Sequence, residues 1–323
     1  MIKRIAVLTS GGDSSGMNPC IRSVVRNAIF NGLTVMGVQE GYKGLLNNQI
    51  FEMDEASVSG IINRGGTILY SSRCEEFRTV EGRKQAIGKL REHSIDALVV
   101  IGGDGSYRGI NTLRKEFDFP VIGIPGTIDN DIMGTDYTIG YDTAVNVAME
   151  AIDKIRDTAT SHGRLFLVEV MGRHAGYIAL EVGIASGAEE ILIPETITNF
   201  DEMIENLERG RNRGKRSSIV VVAEGEETGG AYTIAKRIEG KTGYKMRVVI
   251  LGHMQRGGPP TAYERLMASR FGYYAVKALL DGSYGVAIGI QKGEVTYTDI
   301  EDATTKPLQI NTHDFELAQA LSI

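Results

Sequence analysis

Val121-Ile122-Gly123-Ile124 runs directly into Pro125-Gly126-Thr127-Ile128-Asp129-Asn130-Asp131. The apolar run has the length of one buried strand and is too short for a helix. Pro125 and Gly126 stop it abruptly, and two carboxylates follow, two residues apart. In an open α/β sheet a chain leaving a strand in this way emerges at the ligand-binding edge. A lone Asp-Asn-Asp would read as a turn whose side chains bond their own backbone. Its company changes the reading, because other stretches repeat the plan of apolar strand, glycine stop and polar rim.

The clearest repeat is Ala97-Leu98-Val99-Val100-Ile101, apolar at every position as in a parallel strand buried on both faces. It ends in Gly102-Gly103-Asp104-Gly105-Ser106, and a helix is expected soon after. Strand, glycine turn and helix form the layout in which backbone N–H groups and a helix N-terminus hold phosphate. Asp104 would repel a bare phosphate and so makes sense as a partner of Mg²⁺. Near the start, Ile5–Leu8 reads as a strand broken by Thr9-Ser10-Gly11-Gly12-Asp13-Ser14-Ser15-Gly16. Asn18 is expected to cap the next helix, with Pro19 at its first position and Gly32 just past its end. Arg22 and Arg26 share that helix's polar side, either as a solvated face or as an anion site.

The alternation continues with a strand at Leu33–Val38 and an irregular region containing Arg73, Cys74 and Arg78. A helix over Thr143–Arg156 leads to a second series. There Leu165–Val170 is a strand before Met171-Gly172-Arg173-His174, and a helix follows to Gly187. Ile191–Ile193 and Ile219–Ala223 are strands, with a helix over Glu202–Arg211 between them. Val248–Leu251, before Gly252-His253-Met254-Gln255-Arg256-Gly257-Gly258, is the last clear strand. Thr261–Leu280 is a long helix and the tail is shorter pieces.

A chain of 323 residues exceeds one average domain, so two α/β domains or one large one are expected. Its 40 glycines fall at the ends of apolar runs, which suits strand-to-helix turns. A net charge of −6 argues against general nucleic-acid binding and leaves no polybasic membrane patch. Cys20 and Cys74 lack both a disulfide framework and metal-ligand spacing. No run reads as a signal peptide or a membrane span, so a cytoplasmic location is expected.

Collected at one sheet edge, the strand ends offer Gly11, Gly103, Asp104, Gly105, Thr127, Asp129, Asp131, Arg173, Glu224, His253 and Arg256. The Gly-Gly-Asp turns suit a nucleotide with Mg²⁺. The arginines and His253 suit a second phosphate, since guanidinium matches a phosphate fork. Asp129 stands as a base for an attacking hydroxyl. His253 alone would read as a structural histidine, and Glu224 alone as a turn cap. Together they point to phosphoryl transfer from a nucleotide to a phosphorylated alcohol. No Walker A loop is present, so this is not a P-loop kinase.

Five motifs in one order carry a resemblance over essentially the whole length. They are Thr9-Ser10-Gly11-Gly12-Asp13 with Gly16-Met17-Asn18, then Gly102–Ser106, Pro125–Asp131, Met171-Gly172-Arg173 and Gly252–Gly258. On these the chain resembles the bacterial-type ATP-dependent 6-phosphofructokinases. The resemblance implies two Rossmann-like three-layer α/β/α domains with mainly parallel sheets and the active site in the cleft between them. It implies an ATP-binding domain of 1–139 and 254–306, and a smaller fructose 6-phosphate domain of 140–253 and 307–323. It also implies a homotetramer that phosphorylates fructose 6-phosphate at the 1-hydroxyl, the committed step of glycolysis. By the same resemblance Asp129 is the base, with Thr127 and Arg173 steadying the transferred group. Gly12, Tyr42, Arg73, Cys74, Arg78 and Gly103 to Ser106 (Gly103, Asp104, Gly105, Ser106) stand at ATP positions, with Asp104 toward Mg²⁺. Arg164, Met171, Gly172, Arg173, Glu224, Arg247, His253 and Arg256 stand at sugar-phosphate positions, Arg164 and Arg247 reaching in from a neighbouring subunit.

Effectors are implied too: ADP and phosphoenolpyruvate at Arg22, Arg26, Arg156, Gly187, Glu189, Arg213 and Lys215. Pyrophosphate-using relatives resemble a pattern of Asp at Gly105 and Lys at Gly126, so glycine at both is expected to keep room for ATP. Ser15 replaces a frequent proline and is expected to loosen the first loop. Pro259 and His174 also depart from the pattern, and Glu55 and Gly60 bear on effector control. Two other readings compete. A dinucleotide-binding oxidoreductase would use Gly103-Asp104-Gly105 with Gly109, but the next strand ends at Pro125-Gly126 with no acid for a ribose. A non-catalytic nucleotide sensor would need no base, so Asp129 discriminates against it.

Overall fold

The computed structural model describes residues 2–227, 229–305, 310 and 312–321. In chain order the elements are β1 (Arg4–Ser10), α1 (Met17–Phe30), β2 (Thr34–Val38), α2 (Gly41–Leu46), β3 (Ile50–Met53), α3 (Val80–Glu92), β4 (Ala97–Gly102), α4 (Asp104–Phe117), β5 (Val121–Pro125) and α5 (Tyr141–His162). Then follow β6 (Leu165–Val170), α6 (Tyr177–Ser186), β7 (Glu190–Leu192), α7 (Phe200–Asn212), β8 (Ser218–Ala223), α8 (Gly230–Thr242) and β9 (Met246–Ile250). The chain finishes with α9 (Ala262–Leu280), β10 (Val286–Gln291), β11 (Glu294–Asp299), α10 (Ile300–Thr305) and α11 (Thr312–Leu321). It divides into two compact units, Met1–Thr143 with Arg256–Leu308 and Ala144–Gln255 with Gln309–Ile323. The sequence reading set its breaks after 139, 253 and 306; the last of them falls on residues outside those described.

The first unit is built on a seven-stranded sheet in the order β11-β10-β5-β4-β1-β2-β3. Its central strands are parallel, and only the outermost pairs, β2–β3 and β10–β11, run antiparallel. Side chains alternate between the two faces of each strand. Ala6, Leu8, Leu98 and Val100 therefore join one cluster with Leu45, Ile87, Leu90, Ile110 and Leu113 from the helices of that side. The other face lies under α1 and α9, which pack along each other and against β1 and β5. The second unit has an all-parallel sheet, β7-β8-β6-β9. Leu167, Leu192, Val220 and Val222 pack there with residues of α7 and α8, and α6 packs against β7 and β8.

Helix α1 departs from expectation at its start. Its N-cap is Gly16, and Asn18 lies one residue inside the helix, buried. The Asn18 amide instead donates to the carbonyls of Arg64 and Gly65 at 3.0 and 3.1 Å and accepts from Ile68 N at 2.7 Å. At the far end Gly32 does take the left-handed conformation, φ 75°. Strand Val248–Leu251 is not the last, because β10 and β11 complete the first sheet. β10 finds its parallel partner in β5, more than a hundred residues earlier, and β11 is a polar edge strand with little contrast in its sequence. Helices α3 and α8 went unread for a related reason: α3 carries Gly82 and Gly88 among charged residues, and α8 opens on Gly229-Gly230 without a side-chain cap.

Helices α5 and α9 begin side by side within the first unit and cap one another. Thr261, the N-cap of α9, accepts from Glu264 N at 3.1 Å and donates to the Asp142 carboxylate in the first turn of α5. Glu264, fully buried, reaches the other way. Its carboxylate accepts from Gly140 N at 2.8 Å, Thr143 N at 3.2 Å and Thr143 Oγ1 at 3.0 Å. These donors are the open N–H groups of a helix start, where negative charge is favoured. Burial nonetheless pushes the Glu264 carboxyl up to about 7, against the hydrogen bonds from Gly140, Tyr137 and Thr143 that pull it down. A carboxyl raised in the folded state stabilises the fold below its unfolded value, and that contribution is lost as pH rises through the folded value. Relative to Glu264→Gln, wild-type stability in urea should therefore fall between about pH 4.5 and about pH 7 and then level off, by on the order of 3 kcal/mol. A difference between the two proteins that stays flat across this range would contradict it.

Candidate active site

Parallel pairing brings three strand ends into one row. Ser10 of β1 faces Gly102 of β4, and Gly102 faces Pro125 of β5. The sheet changes winding direction here, with β2 added on one side of β1 and β4 on the other, which is where open α/β sheets bind ligands. Gly11-Gly12, Gly103-Asp104 and Gly126-Thr127 therefore leave the sheet at one level. Ser106 Oγ crosses to Ser10 O at 3.1 Å, and Gly126 N donates to Gly102 O at 3.0 Å. Gly103 is the extended N-cap of α4, so Asp104, Gly105 and Ser106 form that helix's first turn, with Ser106 N already bonded to Gly103 O at 3.0 Å and the Asp104 and Gly105 N–H groups at the rim.

The first loop is held by its neighbours. A Cβ on Gly12 would come within 2.4 Å of Arg256 Nη1, which donates to Asp13 O at 3.1 Å. Ser15 does not loosen this loop: it is buried, and its hydroxyl lies 2.9 Å from Gly258 O and 3.3 Å from Arg256 O. The polar side chain thus does by hydrogen bonding what a ring would do by fixing φ. Asn130 is at φ 52°, a left-handed turn that asparagine tolerates, and it separates buried Asp129, 4 % exposed, from exposed Asp131. Asp129 N donates to Thr127 Oγ1 at 3.2 Å, so the Thr127 side chain is tied to the Asp129 backbone. Behind the loop runs a strut of residues 135–140. Thr138 Oγ1 donates to Thr127 O at 2.7 Å, Ile139 N to Pro125 O at 2.8 Å, and Ser14 Oγ to Ile139 O at 2.8 Å.

Other expected nucleotide residues play unequal parts. Tyr42 is buried, stacked on Phe77 at 3.9 Å between ring centroids, and its hydroxyl donates to Ser106 O at 2.5 Å. Its ring and hydroxyl are both engaged in positioning Ser106. Phe77 anchors the segment bearing Arg73, Cys74 and Arg78. Arg73 and Arg78 are exposed, Arg78 pairing with Glu75 at 3.2 Å, and burial raises the Cys74 thiol. Asp104 pairs with Arg108 through Oδ1 at 2.9 Å and is otherwise open to the rim. Among the described residues no cluster of three or more His, Cys, Asp or Glu could hold a metal. A single carboxylate fits Mg²⁺ that arrives on nucleotide phosphates and keeps much of its water.

The second unit sorts its residues to the two ends of its sheet. At the carboxyl end, Val170 of β6 faces Ala223 of β8, so Met171-Gly172-Arg173 and Glu224 emerge together. Arg173 sits at φ 55°, with its N–H on Glu224 Oε1 at 2.9 Å, and a Cβ on Gly225 would come within 1.7 Å of Arg173 O. Glu224 is thus a turn cap in this chain, one oxygen engaged in shaping the Arg173 turn. Met171 N donates to Gln255 Oε1 at 2.8 Å, tying this end to the His253 segment, where His253 is exposed. Arg164 and Arg247 do not join them. Arg164 precedes β6, and Arg247 faces Phe166 near its start. At about 3.3 Å per residue Arg164 lies roughly 20 Å, and Arg247 roughly 13 Å, from the Val170 end of the strand.

The expected effector residues of this unit also gather at the amino end. Arg156 Nη2 donates to Ser186 O and Gly187 O at 2.6 and 3.1 Å, and Lys215 pairs with Glu189 at 2.8 Å. Glu189 also accepts from Ile219 N at the start of β8. A cavity of about 650 Å³ opens here, lined by Glu189, Arg213 and Lys215 together with Glu190, Arg209 and Phe315. Arg22 and Arg26 belong to the first unit, on α1. Burial, then the charge of Arg26, lowers the Arg22 guanidinium below its ordinary range.

The sequence profile of the family described as "Phosphofructokinase" matches residues 4–279. The chain belongs to the phosphofructokinase family. It is 54% identical over 322 residues to the ATP-dependent 6-phosphofructokinase of Shouchella clausii and 52% identical to that of Bacillus subtilis, each covered over 100% of both chains. Among solved structures it is similar to phosphofructokinase from Saccharomyces cerevisiae, with a TM-score of 0.91 and 38% identity. That match covers 99% of this chain and 48% of the yeast chain. Membership of the family removes the oxidoreductase reading.

Within this family fold, the two glycines used to argue the phosphate donor differ. A Cβ on Gly105 would meet no atom within 4 Å, so that position does keep space at the rim. A Cβ on Gly126 would lie 2.9 Å from Ile101 Cγ2, 3.1 Å from Gly102 N and 3.2 Å from Met17 Cε. Gly126 is small because the core is full behind it, which corrects the expectation that it leaves room for the nucleotide. Sequence reading also missed Ser14, Thr138 and Glu264. The spacing Thr261-x-x-Glu264 was a legible capping-box signature, but the carboxylate turns to α5 instead of back to its own helix start. Gly126→Ala should therefore lower stability by about 1–3 kcal/mol through overpacking, whereas Gly105→Ala in a helix turn should leave it unchanged or raise it slightly. Equal effects of the two in urea titrations would contradict this account.

Proposed function

We propose that the chain transfers the γ-phosphoryl group of ATP to the 1-hydroxyl of fructose 6-phosphate, releasing fructose 1,6-bisphosphate and ADP as the committed step of glycolysis in the cytoplasm. The observation that carries this is Asp129, buried beside Thr127 in the same row as two glycine-rich strand ends. Near-complete coverage by relatives named ATP-dependent 6-phosphofructokinase supports it. The open N–H groups at the start of α4, with Gly11 and Gly12, hold the nucleotide's phosphates, and Asp104 would hold Mg²⁺ brought with them. The ion supplies charge neutralisation at the phosphates. Asp129 accepts the proton as the sugar oxygen bonds to phosphorus and the bond to the ADP oxygen breaks. Thr127 and Arg173 steady the transferred group, and Met171, Gly172, Glu224, His253 and Arg256 hold the sugar phosphate. Asp129→Ser should cut turnover by on the order of hundreds-fold or more in an ADP-release assay, with modest change in either KM. Near-normal turnover would remove Asp129 from the role of base.

The separation of Arg164 and Arg247 from the Arg173 end favours a second reading, in which both serve a neighbouring subunit's substrate within a homotetramer. The amino-end cavity with Glu189, Arg213 and Lys215 supports regulation there by ADP and phosphoenolpyruvate, with Arg156, Gly187, Arg22 and Arg26 as further contacts. Such control requires two states that the effectors bind unequally. Fructose 6-phosphate saturation curves should then shift in opposite directions with the two effectors. Superimposable curves would remove the regulatory reading and leave the catalytic one standing.

A further inference from the structure

Three features lie outside the assigned site: the Arg114–Tyr284 groove, the tyrosine-bearing outer face of α9, and the buried carboxyl of Glu264. The groove's cations are already paired, Arg114 with Asp299 and Lys115 with Glu301. Nothing in the structure shows what covers the α9 face. Glu264 stands on a continuous series of bonds.

We propose that Glu264 is a positioning residue for the phosphoryl-transfer step, acting on Asp129 through the strut of residues 135–140. The proposal rests on Asp129 being the base. Glu264 Oε1 fixes Gly140 N at 2.8 Å and Oε2 fixes Thr143 on both its N–H and its hydroxyl. Gly140 follows Ile139, whose N–H is bonded to Pro125 O and whose carbonyl receives Ser14 Oγ. Thr138 then supports Thr127 O at 2.7 Å, and Thr127 Oγ1 receives Asp129 N. Apart from the Thr143 hydroxyl on Glu264 and the peptide link from Ile139 to Gly140, each link is a hydrogen bond with a backbone partner in a buried setting, where an unmet group is costly and a shifted one moves its neighbours. Glu264 is bulky enough to brace the first loop as well: a Cβ on Gly16 would come within 2.8 Å of Oε1. The carboxylate therefore governs where the end of the β5 loop lies without touching substrate.

Above about pH 8, where the Glu264 carboxyl is ionised, Glu264→Gln keeps the volume but turns one acceptor into a donor that faces N–H groups. It should lower kcat about tenfold or more, since small misplacements of a reacting group cost that much. KM for ATP and for fructose 6-phosphate should stay within about twofold of wild type. Glu264→Asp, which keeps both acceptors, should recover part of the loss. The deciding measurement is a cycle with Asp129→Asn. In that background Glu264→Gln should change the residual turnover by less than about twofold, because the group it positions is gone. Unchanged kcat in Glu264→Gln overturns the proposal. So does a full loss repeated in the Asp129→Asn background, or a loss confined to KM. If Asp129→Asn itself turns over normally, the base assignment fails and takes this proposal with it, a result separable from the others. Should Glu264→Gln not fold, Thr138→Val, which breaks the strut's bond to Thr127, undergoes the same cycle with the same expected and overturning outcomes.

Discussion

Register between β1, β4 and β5 is the constraint from which the first unit's chemistry follows. A parallel ladder sets Ser10, Gly102 and Pro125 side by side, so three loops far apart in sequence start from one line. A slip of one residue in any pair would exchange the side chains that face the two buried helix layers, whose shapes differ, and it would also shift the strand end that carries Asp129. The core that fixes the register therefore also fixes the rim where the proposed site residues emerge. Glycine at 102 and 126 belongs to it, since neighbouring backbone and Ile101 leave no space for a side chain.

Polar side chains in this molecule work largely on backbone. Asn18 shapes the 64–68 turn, Ser15 ties the first loop to Gly258, Thr138 supports Thr127, and Glu224 holds the Arg173 turn. Each satisfies a loop carbonyl or N–H that no strand or helix could reach. Loops kept rigid in this way hold catalytic groups at fixed distances, which matters most in phosphoryl transfer, where positioning and charge do nearly all the work.

The second unit separates its residues by sheet direction. Arg173 and Glu224 stand at the carboxyl end, while Arg164, Arg247, Glu189 and Lys215 stand at the amino end. A parallel sheet makes such a separation automatic, because each strand has one chemical polarity and all point the same way.

Much of this could be read from residues alone. Apolar runs ended by glycine marked β1, β4, β5, β6 and β8, since strands buried on both faces carry no alternation to blur them. The rim residues Gly103, Asp104, Thr127, Asp129 and Arg173 followed from those ends. What resisted reading was everything set by partners distant in sequence. β10 and β11 depended on β5, Asn18 on a turn near residue 65, and Gly126 on Ile101 and Met17. Glu264 carried a local signature for its own helix, yet its carboxylate serves Gly140 and Thr143. Local sequence determines which backbone shapes a segment favours; which of its polar atoms meet, and where, is decided only when the packed core brings distant segments within hydrogen-bonding reach.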